Sequence, residues 1–489
     1  MTHAPNSPSA RRREPRRWPR ATSPHRRSSV AALLAVALFL LVGAAPAPAA
    51  APGTPDRFVA TELPDSPVGR QMRWLTEAST RLPLSEAELR AHFTKAFLAL
   101  PAASPAAINE TLGKVVDASG LRLLGLTAVQ PGQLVAVVAA RGTQELTVTL
   151  GVDRAGLIDF AALAGVAPPV ALPKPSGAAA VGTDVVALVD PDRGGRRLML
   201  TRWYPAAAGA GDRPPAAYAG PLVRGALGLP DVRVHARLGA RARPGRLPVV
   251  LFSPGLGVPR LMYQALAEDL ASHGYLVVAV DHTGEAPVEF PDGHMELPSA
   301  VRAKRPLATA ARARLRDMRL ILRRLNTMAP GPRADRGRVA AIGHSFGGST
   351  AAALMRVEPS VRAGVDMDGS IFGNARRRGV SRAFLVMSSG GADSSIRTFL
   401  EHSTGPRLAL EFAGFEHMTF SDVPIVAPGA PGAGATRPAR AVAVQRAYLR
   451  AFLDRYLLGR PSRLLEGPSR RWPQVTFGRR GRCCATAGS

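Results

Sequence analysis

Apolar positions in this chain repeat with different periods in different stretches, and the period predicts the element. Residues 71–78 and 89–98 space their apolar side chains as one face of a helix does, and Ser85 with Glu88 forms a capping box ahead of the second stretch. Strand-like runs follow at 121–129, 134–140 and 145–152. Helices first and strands afterwards predict a small α+β unit over residues 56–165, its sheet covered on one side. Residues 166–180, rich in Pro and Ala, read as a linker. Beyond it the pattern changes. Apolar strands at 197–204, 249–253, 276–280, 339–342, 364–367, 383–387 and 408–412 alternate with helical patterns at 262–272, 307–325, 349–355, 394–402 and 439–458. That alternation predicts an α/β unit over residues 181–460, with a mainly parallel sheet covered on both faces. Such sheets bind ligands beyond the carboxyl ends of their strands.

The two ends of the chain depart from this pattern. Residues 1–27 carry eight Arg and one Glu, residues 30–42 are an unbroken apolar run, and small residues follow at Ala45-Pro46-Ala47, Ala47-Pro48-Ala49 and Ala49-Ala50-Ala51. This is the pattern of a signal peptide over residues 1–51, so the expected location is the cell-envelope exterior or the medium. The apolar run is short of the roughly 20 residues a spanning helix needs. Residues 460–489 hold seven Arg against one Glu, and 461–489 read as an Arg-rich disordered tail.

Those ends supply nearly half of the formal charge of +27, leaving about +14 spread over residues 52–459. No basic helix, aromatic-interleaved stripe or zinc spacing organises that charge, so nucleic acid is not an expected partner. What it allows is a weak, salt-screened attraction to anionic membrane or polymer surfaces. The only cysteines, Cys483 and Cys484, are adjacent in the tail, where they cannot staple a core, and no ligand-spaced His accompanies them. No metal or cofactor is called for, and nothing in the pattern sets an oligomeric state.

Candidate chemistry centres on Gly343-His344-Ser345-Phe346-Gly347, followed by Gly348, between the strand at 339–342 and the Ala-rich helical stretch at 349–355. A nucleophile elbow requires this context: a serine on a sharp strand-to-helix turn, with glycines where side chains would clash. A serine hydroxyl is a weak nucleophile near neutral pH, so it needs a base, and the base needs an orienting carboxylate. In a sheet of this kind the chain order is Ser, acid, His, which leaves His402 and His417. His402 lies within a helical stretch, where a solvated or packed role is ordinary. His417 follows the strand at 408–412 in a short loop, as a base swung over the sheet edge should. For the acid, Asp368 ends the strand after the elbow helix and Asp393 follows the next strand, and the pattern leaves both open. Asp366 lies further from the carboxyl end and is assigned to the strand itself. An oxyanion hole needs the N–H after the nucleophile, that of Phe346, and one from an earlier strand end, for which Leu256 in the Gly-Leu-Gly turn is placed.

The runs Leu251-Phe252-Ser253-Pro254-Gly255-Leu256-Gly257, Asp269-Leu270-Ala271-Ser272-His273-Gly274-Tyr275 and Gly343-His344-Ser345-Phe346-Gly347-Gly348 together resemble the platelet-activating factor acetylhydrolase family, calcium-independent lipoprotein-associated phospholipases A2. The resemblance covers roughly residues 180–458. It implies an α/β-hydrolase fold and a serine esterase acting on short or oxidised acyl groups of phospholipids. It also implies that the acid is Asp368, in Gly364-Val365-Asp366-Met367-Asp368, that His417 is the base, and that Leu256 and Phe346 are the oxyanion donors. One departure is Pro254, where eukaryotic members carry His; the Leu256 N–H is unaffected, while substrate preference is expected to differ. More loosely, residues 56–165 are similar to small cystatin-like or nuclear-transport-factor-like domains, and a scaffold or docking role is expected of them. Two alternatives stand beside this reading. One is a lipase or cutinase-like polyesterase with Asp393 as acid. The other is a non-catalytic protein that binds anionic surfaces.

Overall fold

A computed structural model describes residues 58–141, 144–298, 306–328, 331–391 and 393–478 of the 489-residue chain. The expected signal peptide and the cysteine pair lie outside the described residues. The first part has helices α1 (Pro67–Ala78), α2 (Glu86–His92), α3 (Lys95–Leu98) and α4 (Pro105–Val115). They are followed by an antiparallel sheet of β1 (Arg122–Gln130), β2 (Gln133–Ala139), β3 (Glu145–Val152) and β4 (Ile158–Gly165), in that order. The Ser85 hydroxyl accepts from the Glu88 N–H, as expected for the cap of α2. The predicted helix over 89–98 is broken at Phe93, which bridges to Ile158 of β4 instead of continuing the turn. Strand β4 escaped the sequence pattern because Ala161, Ala162 and Ala164 give a weak strand signal. Leu126, Leu134, Ala136, Val148 and Leu150 on one face of this sheet form a core with Val68, Met72, Leu89 and Phe93 from the helices. An apolar cavity of about 130 Å³, lined by Leu75, Phe93, Phe97, Leu112 and Leu150 among others, lies in that core.

The second part is built on a ten-stranded sheet. Its strands are β5 (Val181–Asp190), β6 (Arg196–Pro205), β7 (Arg246–Ser253), β8 (Leu276–Asp281), β9 (Arg333–His344), β10 (Val361–Met367), β11 (Ala383–Ser388), β12 (Arg407–Phe412) and β13 (Val475–Phe477), with a two-residue strand, Arg237–Leu238, at one edge. The order across the sheet is β13-β12-β11-β10-β9-β7-β8-β6-β5, then the short edge strand, and a short helix, α5 (Pro221–Ala226), lies between β6 and β7 in the chain. Strands β8, β7, β9, β10, β11 and β12 run parallel, while β6 and β13 join antiparallel. Alternate residues feed opposite cores. Val250, Phe252, Ala340, Ile342, Leu385 and Met387 meet α6 (Gln264–Ser272) and the long helix Pro438–Leu458 on one side. Val249, Leu251, Val339, Ala341, Phe384 and Val386 meet α7 (Leu307–Arg324), α8 (Phe346–Val357) and α9 (Ser394–His402) on the other. Burial on both faces is why these strands read as continuous apolar runs.

Two expectations need correction. Residues 461–478 are not a loose tail: Leu465, Trp472 and Val475 are buried in the main core, and β13 pairs with β12 through Phe412–Val475 and Leu410–Phe477. Arginine content hid this, because the apolar anchors are few and widely spaced. The linker at 166–180 is strapped down, with Val170–Ala171 paired to Val232–Arg233, Leu172 buried, and the Pro173 and Lys174 carbonyls accepting from Arg446. Among the described residues no helix is long and apolar enough to cross a membrane.

Candidate active site

Strand β9 ends at His344, and α8 begins at Phe346, so the whole reversal falls on Ser345. Its backbone sits at φ 56° and ψ −122°, where an L side chain is strained. Among the described residues only one other non-glycine residue has positive φ, and it is Asp368, at 55°. The neighbouring backbone explains the glycines. A Cβ on Gly347 would fall on the Ser253 carbonyl, and one on Gly348 on the Asp366 carboxyl. The Ser345 N–H donates to the Met367 carbonyl at 2.8 Å, tying the elbow to the end of β10, from which Asp368 emerges.

Asp368 Oδ2 accepts from His417 Nδ1 at 2.8 Å, and Oδ1 accepts from the Ser389 N–H at 2.7 Å and the Ser389 hydroxyl at 2.9 Å. Burial pushes the Asp368 carboxyl up, but the His417 and Ser389 donors outweigh it and hold it below the usual carboxylate range. His417 starts a 3-10 turn, His417–Phe420, rather than sitting in an open loop. Its Nε2 is buried and, among the described residues, has no hydrogen-bond partner. That leaves the atom facing away from the carboxylate free to take a proton, and such contacts often tighten only with substrate bound.

The other carboxylates are placed differently. Asp393 caps α9, accepting from the Ile396 N–H at 2.8 Å, the Ser395 hydroxyl at 2.7 Å and the Ser370 hydroxyl at 2.5 Å. It is not brought to His417. Asp366 is fully buried beneath the elbow, and burial, with the Asp368 and Asp393 charges, pushes its carboxyl well above the ordinary range. His402 ends α9 on the surface, away from Ser345.

The turn at Pro254–Gly257 follows β7 and faces the elbow, with the Leu256 side chain half-buried. Among the described residues no acceptor takes the Leu256 N–H. Several residues that pattern reading passed over hold this corner together. The Gly255 N–H donates to the Tyr263 hydroxyl at 3.2 Å, and that hydroxyl donates to His344 Nδ1 at 2.8 Å. His344 Nε2 then donates to the His417 carbonyl at 2.8 Å. Burial, followed by the His417 charge, pushes the His344 imidazole down to about 3, so it stays neutral and can bridge in this way. Ser253, His282 and Asp317 form a second serine–histidine–aspartate chain, with both contacts at 2.9 Å. All three are buried, and the chain braces the turn through the Ser253 hydroxyl. The His344 of the elbow motif was the one visible signal for this network; the other partners are more than 60 residues away from it or lie on a different helix.

The model of the family "Platelet-activating factor acetylhydrolase, isoform II" matches residues 222–289, and that of "ORF 12 gene product N-terminal" matches residues 63–158. A probable 1-alkyl-2-acetylglycerophosphocholine esterase of Arthroderma benhamiae is 27% identical over 369 residues, covering 63% of this chain and 93% of that protein. The platelet-activating factor acetylhydrolase of Cavia porcellus is 28% identical over 177 residues, 29% of this chain and 39% of its own. Among solved structures, a ferulic acid esterase from Streptomyces cinnamoneus superposes with a TM-score of 0.58 at 37% identity, over 63% of this chain and 99% of that one. The fold is therefore that of an α/β-hydrolase.

Proposed function

This chain belongs to the platelet-activating factor acetylhydrolase family and is an ester hydrolase, and from that premise we propose that it is an exported enzyme that cleaves short or oxidised acyl esters of phospholipids through an acyl-enzyme on Ser345. The contact that carries the proposal is the 2.8 Å bond from His417 Nδ1 to Asp368, the residue that follows the strand end to which the positive-φ Ser345 is tied. Ser345 Oγ attacks the ester carbonyl while His417 Nε2 takes its proton, and Asp368 keeps the other imidazole proton on Nδ1. The oxyanion forms between the N–H groups of Leu256 and Phe346. As the tetrahedral intermediate collapses, His417 returns the proton to the departing alcohol. Water then repeats the sequence and releases the acid. Export rests on the basic, apolar and small-residue succession over residues 1–51.

One observation favours a second acyl class: the superposing solved structure is a ferulic acid esterase. A panel of an sn-2 acetyl phosphocholine ether, longer-chain phosphocholines and methyl ferulate separates the two. The first reading expects the acetyl phospholipid to be preferred by kcat/KM, and preference for the ferulate would replace it. Fluorophosphonate labelling of the folded chain is expected, and is expected to vanish in Ser345→Ala. Undiminished labelling in that variant would sink the mechanism.

A further inference from the structure

Arg314 has no place in the chemistry above, yet it is among the most deeply buried charges near the site, with its side chain 1% exposed. It lies on α7, one turn before Asp317. Its Nη1 donates to the Pro254 carbonyl at 2.7 Å and its Nη2 to the Gly255 carbonyl at 3.1 Å. Nε donates to Glu285 at 2.9 Å, and Nη2 meets the same carboxylate oxygen. The guanidinium also lies over the Phe346 ring, 4.8 Å from its centroid. One side chain thus touches the segments that carry both proposed oxyanion donors.

The Gly255 carbonyl and the Leu256 N–H belong to one peptide unit. In a planar trans peptide they point in opposite directions, so fixing one fixes the other. Arg314 draws the carbonyl toward α7 and thereby turns the Leu256 N–H away from it. A cation on the carbonyl oxygen also polarises the unit and strengthens its N–H as a donor. Without Arg314 the Pro254 carbonyl would lose its donor and the Gly255 carbonyl would keep only the Val258 N–H at 3.3 Å, so the peptide would be held more loosely. The opposite side of the turn is already held by Tyr263 on the Gly255 N–H and by His282 on the Ser253 hydroxyl. Burial first, and then the Arg314 charge, push the His282 imidazole below its ordinary value, the direction that favours accepting from that hydroxyl.

We propose that Arg314 is a positioning residue for the oxyanion hole: through the Gly255–Leu256 peptide it sets the direction and strength of the Leu256 N–H donor, while its guanidinium packs on the ring of Phe346, the residue that supplies the other. This rests on the reading of Leu256 and Phe346 as those donors. Arg314→Lys keeps the charge but cannot serve both carbonyls and Glu285 in one plane, and Arg314→Gln removes the charge as well.

The test measures kcat and KM on an activated acetyl ester, the inhibition constant of a trifluoromethyl ketone whose hemiketal oxygen occupies the hole, and the melting temperature. Direct loss of one oxyanion donor costs about 10²–10³ in kcat, so an indirect loss is expected at about 10- to 100-fold in Arg314→Gln and less in Arg314→Lys. KM should stay within about twofold, while the ketone's inhibition constant rises in parallel with the fall in kcat. A purely structural role would lower the melting temperature without that parallel. Wild-type kcat in a folded variant, or a lower kcat with unchanged ketone affinity, would overturn the proposal. If both variants fail to fold, Glu285→Gln, which leaves the arginine but removes the carboxylate that aims it, is measured the same way against the same two outcomes. Inactivity of the wild type, or full activity in Ser345→Ala, would instead overturn the underlying mechanism.

Discussion

Asp368→Asn tests the arrangement at its most informative point, because sequence pattern alone left the acid open between Asp368 and Asp393. Asparagine tolerates positive φ, so the backbone at 55° need not move. The Ser389 N–H and hydroxyl both point at Oδ1, which fixes the amide oxygen on that side. The amide NH₂ then faces His417 Nδ1, which must accept and so carries its proton on Nε2. In that tautomer His417 cannot take the Ser345 proton. The same change in a Ser-His-Asp triad lowers kcat about 10⁴-fold, so about 10³–10⁴ is expected here, or about 4–5.5 kcal/mol of transition-state stabilisation. Stability should respond with a definite sign. The folded-state carboxyl is depressed, so its contribution is present above the unfolded value near 4 and is lost as pH falls through the folded one. The melting difference between wild type and variant should therefore be largest near neutrality and shrink below about pH 4. Hydrolysis of a short p-nitrophenyl ester, with melting curves at pH 3.5 and 7, provides the readout. Asp393→Asn is the contrast: asparagine also caps a helix, so activity should stay within about threefold. More than a tenth of wild-type activity in Asp368→Asn, or an equal loss in Asp393→Asn, would refute the assignment.

Other outcomes follow from the packing. Gly347→Ala drives a methyl onto the Ser253 carbonyl and should cost about 3 kcal/mol or more, read as a lower urea midpoint or as insoluble protein. Trp472→Ala opens a hole in the main core beneath Arg440 and should cost about 3–5 kcal/mol by urea denaturation; a value within 0.5 kcal/mol of zero would restore the loose-tail expectation. Burial raises the Asp422 carboxyl to about 7, so the folded state keeps a proton that the unfolded chain has released, and stability falls as pH rises from about 4 to 7. Asp422→Asn should remove that slope, seen as a wild-type urea midpoint that declines relative to the variant between pH 4.5 and 7.5.

Much of the fold was legible because buried parallel strands leave continuous apolar runs. The elements from Val249 to Leu458 lie within a few residues of their expected places. What stayed hidden had weak local signals. Strand β4 has three alanines and a glycine among its eight residues, β5 puts Val185 and Val189 on an exposed face, and β13 is three residues long in an Arg-rich segment. Pairing with a neighbour makes each of these a strand, and pairing is not a local property.

By itself the sequence determined the elbow, the order of nucleophile, acid and base, and the α/β alternation that aims them at one end of a sheet, because each depends on residues close together in the chain. Only the tertiary structure decided which carboxylate meets His417. Asp368 directly follows β10 and Asp393 lies in the loop after the adjacent β11, and the choice turns on a positive-φ turn at one and a helix cap at the other. It also decided how the oxyanion turn is held. Arg314, Tyr263, His282 and Asp317 are far apart in sequence or on other elements, and they converge on Ser253–Leu256 because the sheet order places β7 between β8 and β9, with α7 packed across them. A buried charge is stable only where its partners have been assembled around it, and that assembly is a product of the whole fold.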